Sequence, residues 1–513
     1  MNISRTKQSG KNIVMNLSNF VIKTISAFAV KTVFIYFLGA ELLGLNSLFA
    51  NILTMLSLAE MGIGSAIVFS LYKPMAENDY SKVNALIKMY KKLYMIIASI
   101  VMTIGLLLLP FLKFFINSDN SLTINIYVIY FMYLLNSIVG YLFAHRNALI
   151  FTSQRNDIEC GISIAVNILS KTLEIVVIVC FKNYYIYYAI IMLATLSEGL
   201  SVYFASNKIY KHLDLKNVAE ISKEEKSSIF KDIKGMLCHK IGIAVVNGTD
   251  NIIISTFLNL TILGAYSNYI LISSSVSSAI VLFINALKAS FGNAIATKTK
   301  DEVEKIQNNI LFGYSWIIIF CAISLLCLLK PFVNIWLPEE YAISFVVVLM
   351  IVLSFTIEKS RNVIQATRDC AGLFRYKKWC PICEAITNLI ASIILVKYMG
   401  LPGVILGTIL GYVLFPLWVE PWVVYKYFYN KSSKGYWKKW ISYFLVGAII
   451  AVLTYWICSF LPSYGLVAFL IKCVICVVVP NICMLIIFGR TEEFKYYLGL
   501  VESIFKRKKK SEE

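Results

Sequence analysis

Long apolar segments joined by short polar connections make up almost all of this 513-residue chain. Each segment is long enough to cross a bilayer as an α-helix, which needs about 20 residues. A membrane β-barrel would instead show alternating segments of about 10 residues. The pattern therefore predicts an all-α polytopic membrane protein with about fourteen transmembrane helices. The predicted spans are Asn12–Leu38, Leu43–Tyr72, Leu86–Ile116, Leu122–Phe151, Ile158–Phe181, Tyr184–Ser206, Met236–Leu258, Ile262–Leu287, Ile310–Leu329, Tyr341–Ala366, Trp379–Val396, Leu401–Phe428, Trp440–Phe460 and Leu466–Phe488.

The composition supports the membrane interpretation. Hydrophobic residues make up 58% of the chain and charged residues 15%, with a mean hydropathy of +0.72, whereas soluble domains carry about 25% charged residues. We expect the twelve cysteines to be reduced thiols that pack among the helices. Cys380 and Cys383 have the spacing of a metal or redox pair, but no second pair accompanies them, so no metal site is predicted.

The positive charges fall on one side of the predicted topology. When the residues at the span ends are counted with the adjacent connections, 40 of the 48 lysines and arginines lie in the N-terminal end and every second connection, 4 in the other connections and 4 well inside the spans. This asymmetry is the positive-inside pattern, which predicts that both termini are cytoplasmic and that the number of spans is even. The net charge of +19, including the tail Lys506–Lys510, therefore indicates a lipid-facing surface and no nucleic-acid partner.

Weak internal matches, each pairing one predicted span with the span six later, indicate two six-helix repeats. Both repeats enter the membrane from the same side, as in transporters whose substrate site lies between two lobes. Phe37–Ser47 aligns with Phe257–Ser267, Arg146 and Asn147 with Arg361 and Asn362, and Asn167 with Asn388. The predicted domains are an N-terminal lobe at 1–207, a cytoplasmic linker at 208–235, a C-terminal lobe at 236–430, and a helix pair with a basic tail at 431–513.

The connections are too short for a catalytic domain. The longest outer one lies around Asn334 to Tyr341, and no phosphate-binding loop or cluster of metal-binding carboxylates occurs in any connection. A membrane glycosyltransferase or polysaccharide polymerase usually needs a substantial surface loop. The sequence therefore predicts a transporter and not an enzyme.

Ionisable residues inside the spans are the first candidates for function, because each costs about 2.5–3.5 kcal/mol to insert. Lys23 and Lys31 in the first span are separated by about 80° around the helix and about 12 Å along it, so a pyrophosphate could meet them in sequence. We predict that both contact the substrate, together with Glu60 of the second span. The alternative is that a lysine pairs with Glu60 or extends to the membrane interface.

Other charged residues also lie within the spans. Lys171 and Glu174 are three residues apart on one helix and can pair with each other. Glu198 and Lys472 have no partner that the sequence identifies, and their roles stay open.

The tenth span carries a polar stripe at its cytoplasmic end. One interpretation is an electropositive vestibule that receives a pyrophosphate through Arg361 and Arg368, because arginine binds phosphate in a bidentate manner. By repeat symmetry Arg146 would join it. The alternative is a solvated helix end with internal ion pairs. The stripe comprises Glu358, Arg361, Asn362, Gln365, Arg368 and Asp369.

Several motifs give the chain a family resemblance. It resembles the polysaccharide transporters, the O-antigen and capsule flippases of the multidrug/oligosaccharidyl-lipid/polysaccharide exporter superfamily, from the N-terminus to about residue 430. The resemblance implies two pseudo-symmetric lobes around a central cavity and export of undecaprenyl-pyrophosphate-linked oligosaccharide to the outer leaflet. The motifs are Lys31–Gly39, Leu58–Ala66, Thr249–Ser255, Ala371–Arg375 and Gly403–Thr408.

Asp250, well inside the seventh span, is the acid predicted to couple transport to an ion gradient, since a titratable or cation-binding carboxylate can favour one conformation. The resemblance to lipid II flippases implies a cation site that Asp250 would share with Asn388 and Thr408. The second acid of that site is replaced by Ser392, and Glu384 is a poor substitute. The coupling ion, Na⁺ or H⁺, stays open, and no other cofactor is expected.

The sequence thus favours a flippase in the bacterial cytoplasmic membrane that works by alternating access, as an antiporter. Its expected partners are the lipid-linked oligosaccharide, the bilayer and other membrane proteins of polysaccharide assembly, and we expect a monomer. A cation-coupled drug or metabolite exporter of the same superfamily is the alternative, and a polysaccharide polymerase is disfavoured. Cavity charge separates the first two: basic residues favour an anionic substrate, and acids favour a cationic drug.

Overall fold

The computed structural model describes residues 5–57, 63–117, 124–153, 155–210, 214, 218, 221–227, 229–230, 248–373, 376, 379–462, 464–499 and 502. Within these ranges the chain is helical and contains no strand. It divides into two compact units, Met1–Gly264 and Ala265–Glu513. The predicted all-α fold class is confirmed.

Three helices of the first unit begin at side chains that satisfy their free amides. The Asn125 side chain accepts hydrogen bonds from the backbone amides of Tyr127 and Val128. The Asn183 side chain accepts from those of Tyr185 and Ile186. Both residues thus act as N-caps. In chain order the helices are α1 (Arg5–Leu56), α2 (Ile63–Ala76), α3 (Tyr80–Leu108), α4 (Leu112–Phe115), α5 (Ile126–Thr152), α6 (Asn156–Phe181), α7 (Tyr184–Ile209) and α8 (248–257), with a short helical segment at 223–227 between α7 and α8.

The second unit contains two long helices, several short ones and a π-helical turn. After α9 (Leu260–Thr297), which crosses the boundary between units, Thr299 and Glu302 form a capping box at the start of the next helix. A π-helical turn, Tyr425–Tyr429, follows α15. The remaining helices are α10 (Lys300–Trp336), α11 (Phe345–Ser360), α12 (Asn362–Cys370), α13 (Cys380–Met399), α14 (Leu401–Leu414), α15 (Pro416–Val424), α16 (Lys434–Ser459), α17 (Leu466–Phe488) and α18 (492–499).

The outer surfaces of these helices are apolar. On α16, Ile449 and Val452 are 68% and 71% exposed, and Ile486 on α17 is 75% exposed. Apolar surface on this scale is stable only against lipid, since soluble proteins rarely expose large apolar patches. Within the described residues, eleven helical segments are long and apolar enough to cross a membrane. The protein is therefore a multi-pass membrane protein.

The other three predicted spans have local explanations. The first span and the first part of the second lie in α1, which breaks at Gly39 (φ 86°), inside the predicted connection, and the last part of the second lies in α2. A positive φ of this kind favours glycine. The seventh lies largely outside the described residues. The tenth is divided at Arg361 into α11 and α12, and each part is too short to be counted as a span.

Helices α13 and α14 pack closely because α14 presents glycine to its neighbour. A β-carbon added at Gly407 would lie 2.2 Å from the Ser392 hydroxyl, and one at Gly403 would lie 2.3 Å from the Leu395 carbonyl oxygen. Both distances are far below van der Waals contact. The small residues at four-residue intervals in the twelfth predicted span therefore serve close helix packing.

Candidate functional site

The polar stripe of the tenth predicted span meets an acid from α15. Arg361 donates to both carboxylate oxygens of Glu420, at 3.0 and 3.1 Å, and Arg368 donates to the same carboxylate at 3.0 Å. Gln365 adds a longer bond of 3.2 Å. We call these four residues the Glu420 cluster. Glu420 is fully buried, and each arginine is about as buried as a core residue.

Local structure explains why these side chains converge. Arg361 lies at the turn between α11 and α12, and Gln365 and Arg368 follow it by four and seven residues, so the three share one helix face. Asp369 supports Arg368 through a 2.6 Å bond and also pairs with Lys288 of α9 at 3.4 Å. The arginines are thus neutralised inside their own unit.

Two members of the predicted stripe point elsewhere. Glu358 pairs with Lys359 at 2.7 Å, and Asn362 donates to the Tyr314 hydroxyl at 2.8 Å. Arg361 and Arg368 form the internal ion pairs of the alternative, but their side chains are buried and do not form a solvated helix end. Their contact with a substrate stays a prediction.

Arg146, the residue that corresponds to Arg361 in the first repeat, has a different environment. It is 5% exposed, donates to Asn207 at 2.8 Å and stacks on the Tyr203 ring at 4.6 Å. None of the described residues gives it a carboxylate partner. Its Nε is buried and makes no hydrogen bond within the described part of the chain, and the same holds for Nδ1 of His145 and Oδ1 of Asn147. Arg146 therefore retains capacity to bind an anion.

The two candidate lysines of α1 differ in exposure. Lys23 is exposed and interacts electrostatically with Glu159 of α6, which also faces Glu198 of α7. Lys31 is half-buried and has interactions of its own. The proposed partner Glu60 lies outside the described residues. The contact of these lysines with a substrate stays a prediction.

The predicted pairing of Lys171 with Glu174 is formed. The lysine ammonium lies 2.7 and 2.9 Å from the two oxygens of the fully buried Glu174 carboxylate. Because the pair is local and bidentate, it satisfies both charges within α6.

Two of the three residues predicted to couple an ion lie together in the second unit. The Asn388 amide donates to the Thr408 hydroxyl at 2.7 Å, and both side chains are buried where α13 packs on α14. Ser392, one turn later, donates to the Val404 carbonyl at 3.0 Å. Asp250 lies in α8 of the first unit, is half-buried and has interactions of its own. A cation site shared by all three stays a prediction.

The sequence analysis missed Glu420 and the grouping of Lys23 with Glu159 and Glu198. Glu420 lies within the twelfth predicted span, and a carboxylate inside a span is itself a signal of a buried partner or a functional site. Glu159 lies near the start of the fifth predicted span, where an acid is typical of a solvated helix end. Only the packing of α1, α6 and α7 reveals that it faces Lys23.

Comparison with known proteins gives matches by structure alone. By sequence the chain matches no family model and no curated protein. The lipid II flippase MurJ in an inward closed conformation matches with a TM-score of 0.65 and 13% identity, covering 93% of this chain and 99% of that chain. An inward-facing multidrug resistance MATE family transporter of the MOP superfamily gives 0.62 and 13%, covering 80% and 97%. The chain has the fold of these transporters.

A third match with this transporter fold concerns charge. It is a MOP superfamily transporter from Pyrococcus furiosus, with a TM-score of 0.51 and 14% identity, covering 81% of this chain and 95% of that one, and its binding pocket is described as having reverse polarity. The fold thus occurs with pockets of different polarity. The fold that the resemblance implied is confirmed.

Proposed function

We propose that the protein is a flippase that moves undecaprenyl-pyrophosphate-linked oligosaccharide from the inner to the outer leaflet of a bacterial cytoplasmic membrane. It does so by alternating access between the lobes at 1–207 and 236–430, with both termini in the cytoplasm. Solved structures with this fold include inward-facing, inward closed and bent forms, which supports a conformational cycle. Because those proteins are transporters and a flippase, they also support transport over polymerisation.

The environment of Arg146 is the observation that supports an anionic substrate. A guanidinium that is 5% exposed, has a free Nε and faces no described carboxylate is suited to bind a desolvated anion. Arginine binds phosphate through two parallel hydrogen bonds, which lysine does not reproduce. Lys23 and Lys31 would add positive charge along α1. The pyrophosphate is the anionic part of the proposed substrate.

Ion coupling is assigned to Asp250, with Asn388 and Thr408 as neutral ligands. Protonation or cation binding at Asp250 would stabilise one conformation, and release would allow the empty carrier to return. A site with one carboxylate and two neutral oxygens suits either Na⁺ or H⁺.

A second candidate, export of an amphipathic cation, is favoured by one observation. Glu159 and Glu198 lie together near Lys23, so the first unit holds acids that a cationic drug could meet. The match to a multidrug resistance MATE family transporter is compatible with this alternative at the level of fold.

Reconstitution of the full chain into liposomes distinguishes the two. Undecaprenyl-pyrophosphate-linked oligosaccharide is added to the liposomes, and the fraction that a membrane-impermeant lectin can reach is followed under an imposed proton or sodium gradient. We expect redistribution of the lipid that requires the protein and the gradient. Gradient-driven movement of an amphipathic cation, with no redistribution of the lipid, would assign the protein to drug export instead.

A further inference from the structure

Three cysteines from three different helices meet in the second unit. The sulfur atoms of Cys327 on α10, Cys458 on α16 and Cys476 on α17 all lie within 4.8 Å of one another. Each residue is at most 4% exposed. We call these residues the three-cysteine cluster. It lies outside every site described above.

The spacing of the sulfurs suits a bound metal ion. Zinc binds thiolate sulfur at about 2.3 Å, so three sulfurs on one face of a tetrahedral site are about 3.8 Å apart. The cluster reaches that geometry with small side-chain movements. Helix packing alone does not require three thiols at one point, because apolar side chains fill the interior of a membrane protein equally well.

A buried lysine supplies the charge that such a site needs. Lys472, one turn before Cys476 on α17, is 5% exposed and interacts electrostatically with Cys458 and Cys327. Three thiolates around a divalent ion leave one negative charge, which the Lys472 ammonium cancels. Net neutrality matters here, since an uncompensated charge inside the bilayer is costly. This also gives a role to a lysine whose partner the sequence did not identify.

We propose that Cys327, Cys458 and Cys476 bind one Zn²⁺ ion, with Lys472 as the balancing charge. As the ion binds, each thiol gives up its proton to water and no electron is transferred. The fourth position of a tetrahedral Zn²⁺ site would be left to a neutral ligand such as water, which keeps the net charge of the site at zero. The bound ion ties α16 and α17 to α10.

The first test uses the unmodified full chain in detergent, purified without a histidine tag and with its thiols reduced. Cd²⁺, which replaces Zn²⁺ at thiolate sites, should produce a sulfur-to-metal charge-transfer absorption that saturates at one equivalent. Zn²⁺ should abolish it by competition. Absence of the band overturns the proposal without any variant. So does intact-mass analysis showing that two of the three thiols are joined in a disulfide in the protein as first isolated.

The second test uses variants. Cys327→Ser, Cys458→Ser and Cys476→Ser should each lower Zn²⁺ affinity at least tenfold, measured by competition with a chromogenic chelator. Cys321→Ser on α10 and Cys483→Ser on α17 are matched controls outside the cluster and should bind as the parent does. Zn²⁺ should also raise the Tm of the parent and the controls, but not of the cluster variants. Equal binding in cluster and control variants contradicts the proposal.

Discussion

Arg146 and Arg361 occupy corresponding positions in the two repeats, yet only Arg361 has a negatively charged partner among the described residues. Arg361 shares the buried carboxylate of Glu420 with Arg368, so its charge is satisfied inside its own unit. Arg146 meets an amide and a tyrosine ring, and no carboxylate among the described residues. A repeated arginine therefore does not imply a repeated role. The first binds the ligand in our proposal, whereas the charge of the second is already matched by the Glu420 carboxylate.

The largest expected effect comes from Glu420→Gln. The substitution keeps the shape of the side chain but leaves two buried guanidiniums without their shared anion, which costs about 3–5 kcal/mol when a buried pair is broken. We expect little folded protein in the membrane and a clearly lower Tm in detergent. Glu77→Gln is the control, because the exposed pair of Glu77 with Lys73 contributes less than about 1 kcal/mol. Similar Tm values for the two variants would remove the structural role of the Glu420 cluster.

Arg146→Ala should leave the fold intact and impair function. Charge-assisted hydrogen bonds contribute about 1.5–3 kcal/mol, so affinity for the lipid-linked oligosaccharide should fall about 10- to 100-fold. Arg146→Lys keeps the charge without the bidentate geometry and should give an intermediate value. Binding to the reconstituted protein is the measurement. Loss of folded protein with unchanged affinity in the remainder would place Arg146 in the same structural class as Arg361.

Asp250→Asn separates binding from coupling. The amide keeps the size and hydrogen-bonding capacity of the side chain but cannot titrate. We expect normal substrate binding and a flipping rate that no longer responds to a proton or sodium gradient. An unchanged gradient response in reconstituted vesicles would exclude Asp250 as the coupling group. General loss of folded protein would indicate that it only satisfies buried polar groups.

The smallest effect is expected for Lys23→Ala combined with Lys31→Ala. Lys23 is exposed, and exposed charges contribute about 0.2–1 kcal/mol each, so export of surface polysaccharide relative to membrane protein level should fall only a few-fold. Lys73→Ala is the control, since that lysine is exposed and its only ion pair is with the exposed Glu77 among the described residues. Normal export in the double variant would remove both lysines from the substrate path.

Properties encoded locally in the sequence could be predicted. The apolar pattern gave the helices, the connection at Gly39 and the pairing of Lys171 with Glu174, because each depends on residues close in sequence. Glycines four residues apart on one helix are a local pattern of the same kind, since they are typical of close helix packing.

Contacts between distant segments could not be predicted. The meeting of Arg361 with Glu420 depends on how α12 packs against α15, and the helix break at Arg361 divides what the pattern predicts as one span. Cys327, Cys458 and Cys476 have no motif spacing and come together only through the packing of three helices. Such sites depend on tertiary structure, for which hydrophobic periodicity carries no information.

The glycine contacts between α13 and α14 also bear on how this chain can evolve. At Gly403 and Gly407 even a methyl group would collide with the neighbouring backbone or hydroxyl of α13. No substitution is therefore tolerated at these two positions unless α13 changes at the same time. Ile449, Val452 and Ile486 face outward and can exchange freely among apolar residues. Sequence differences among natural variants should therefore accumulate on the outward surface of α16 and α17. The contact between α13 and α14 should change only through paired substitutions.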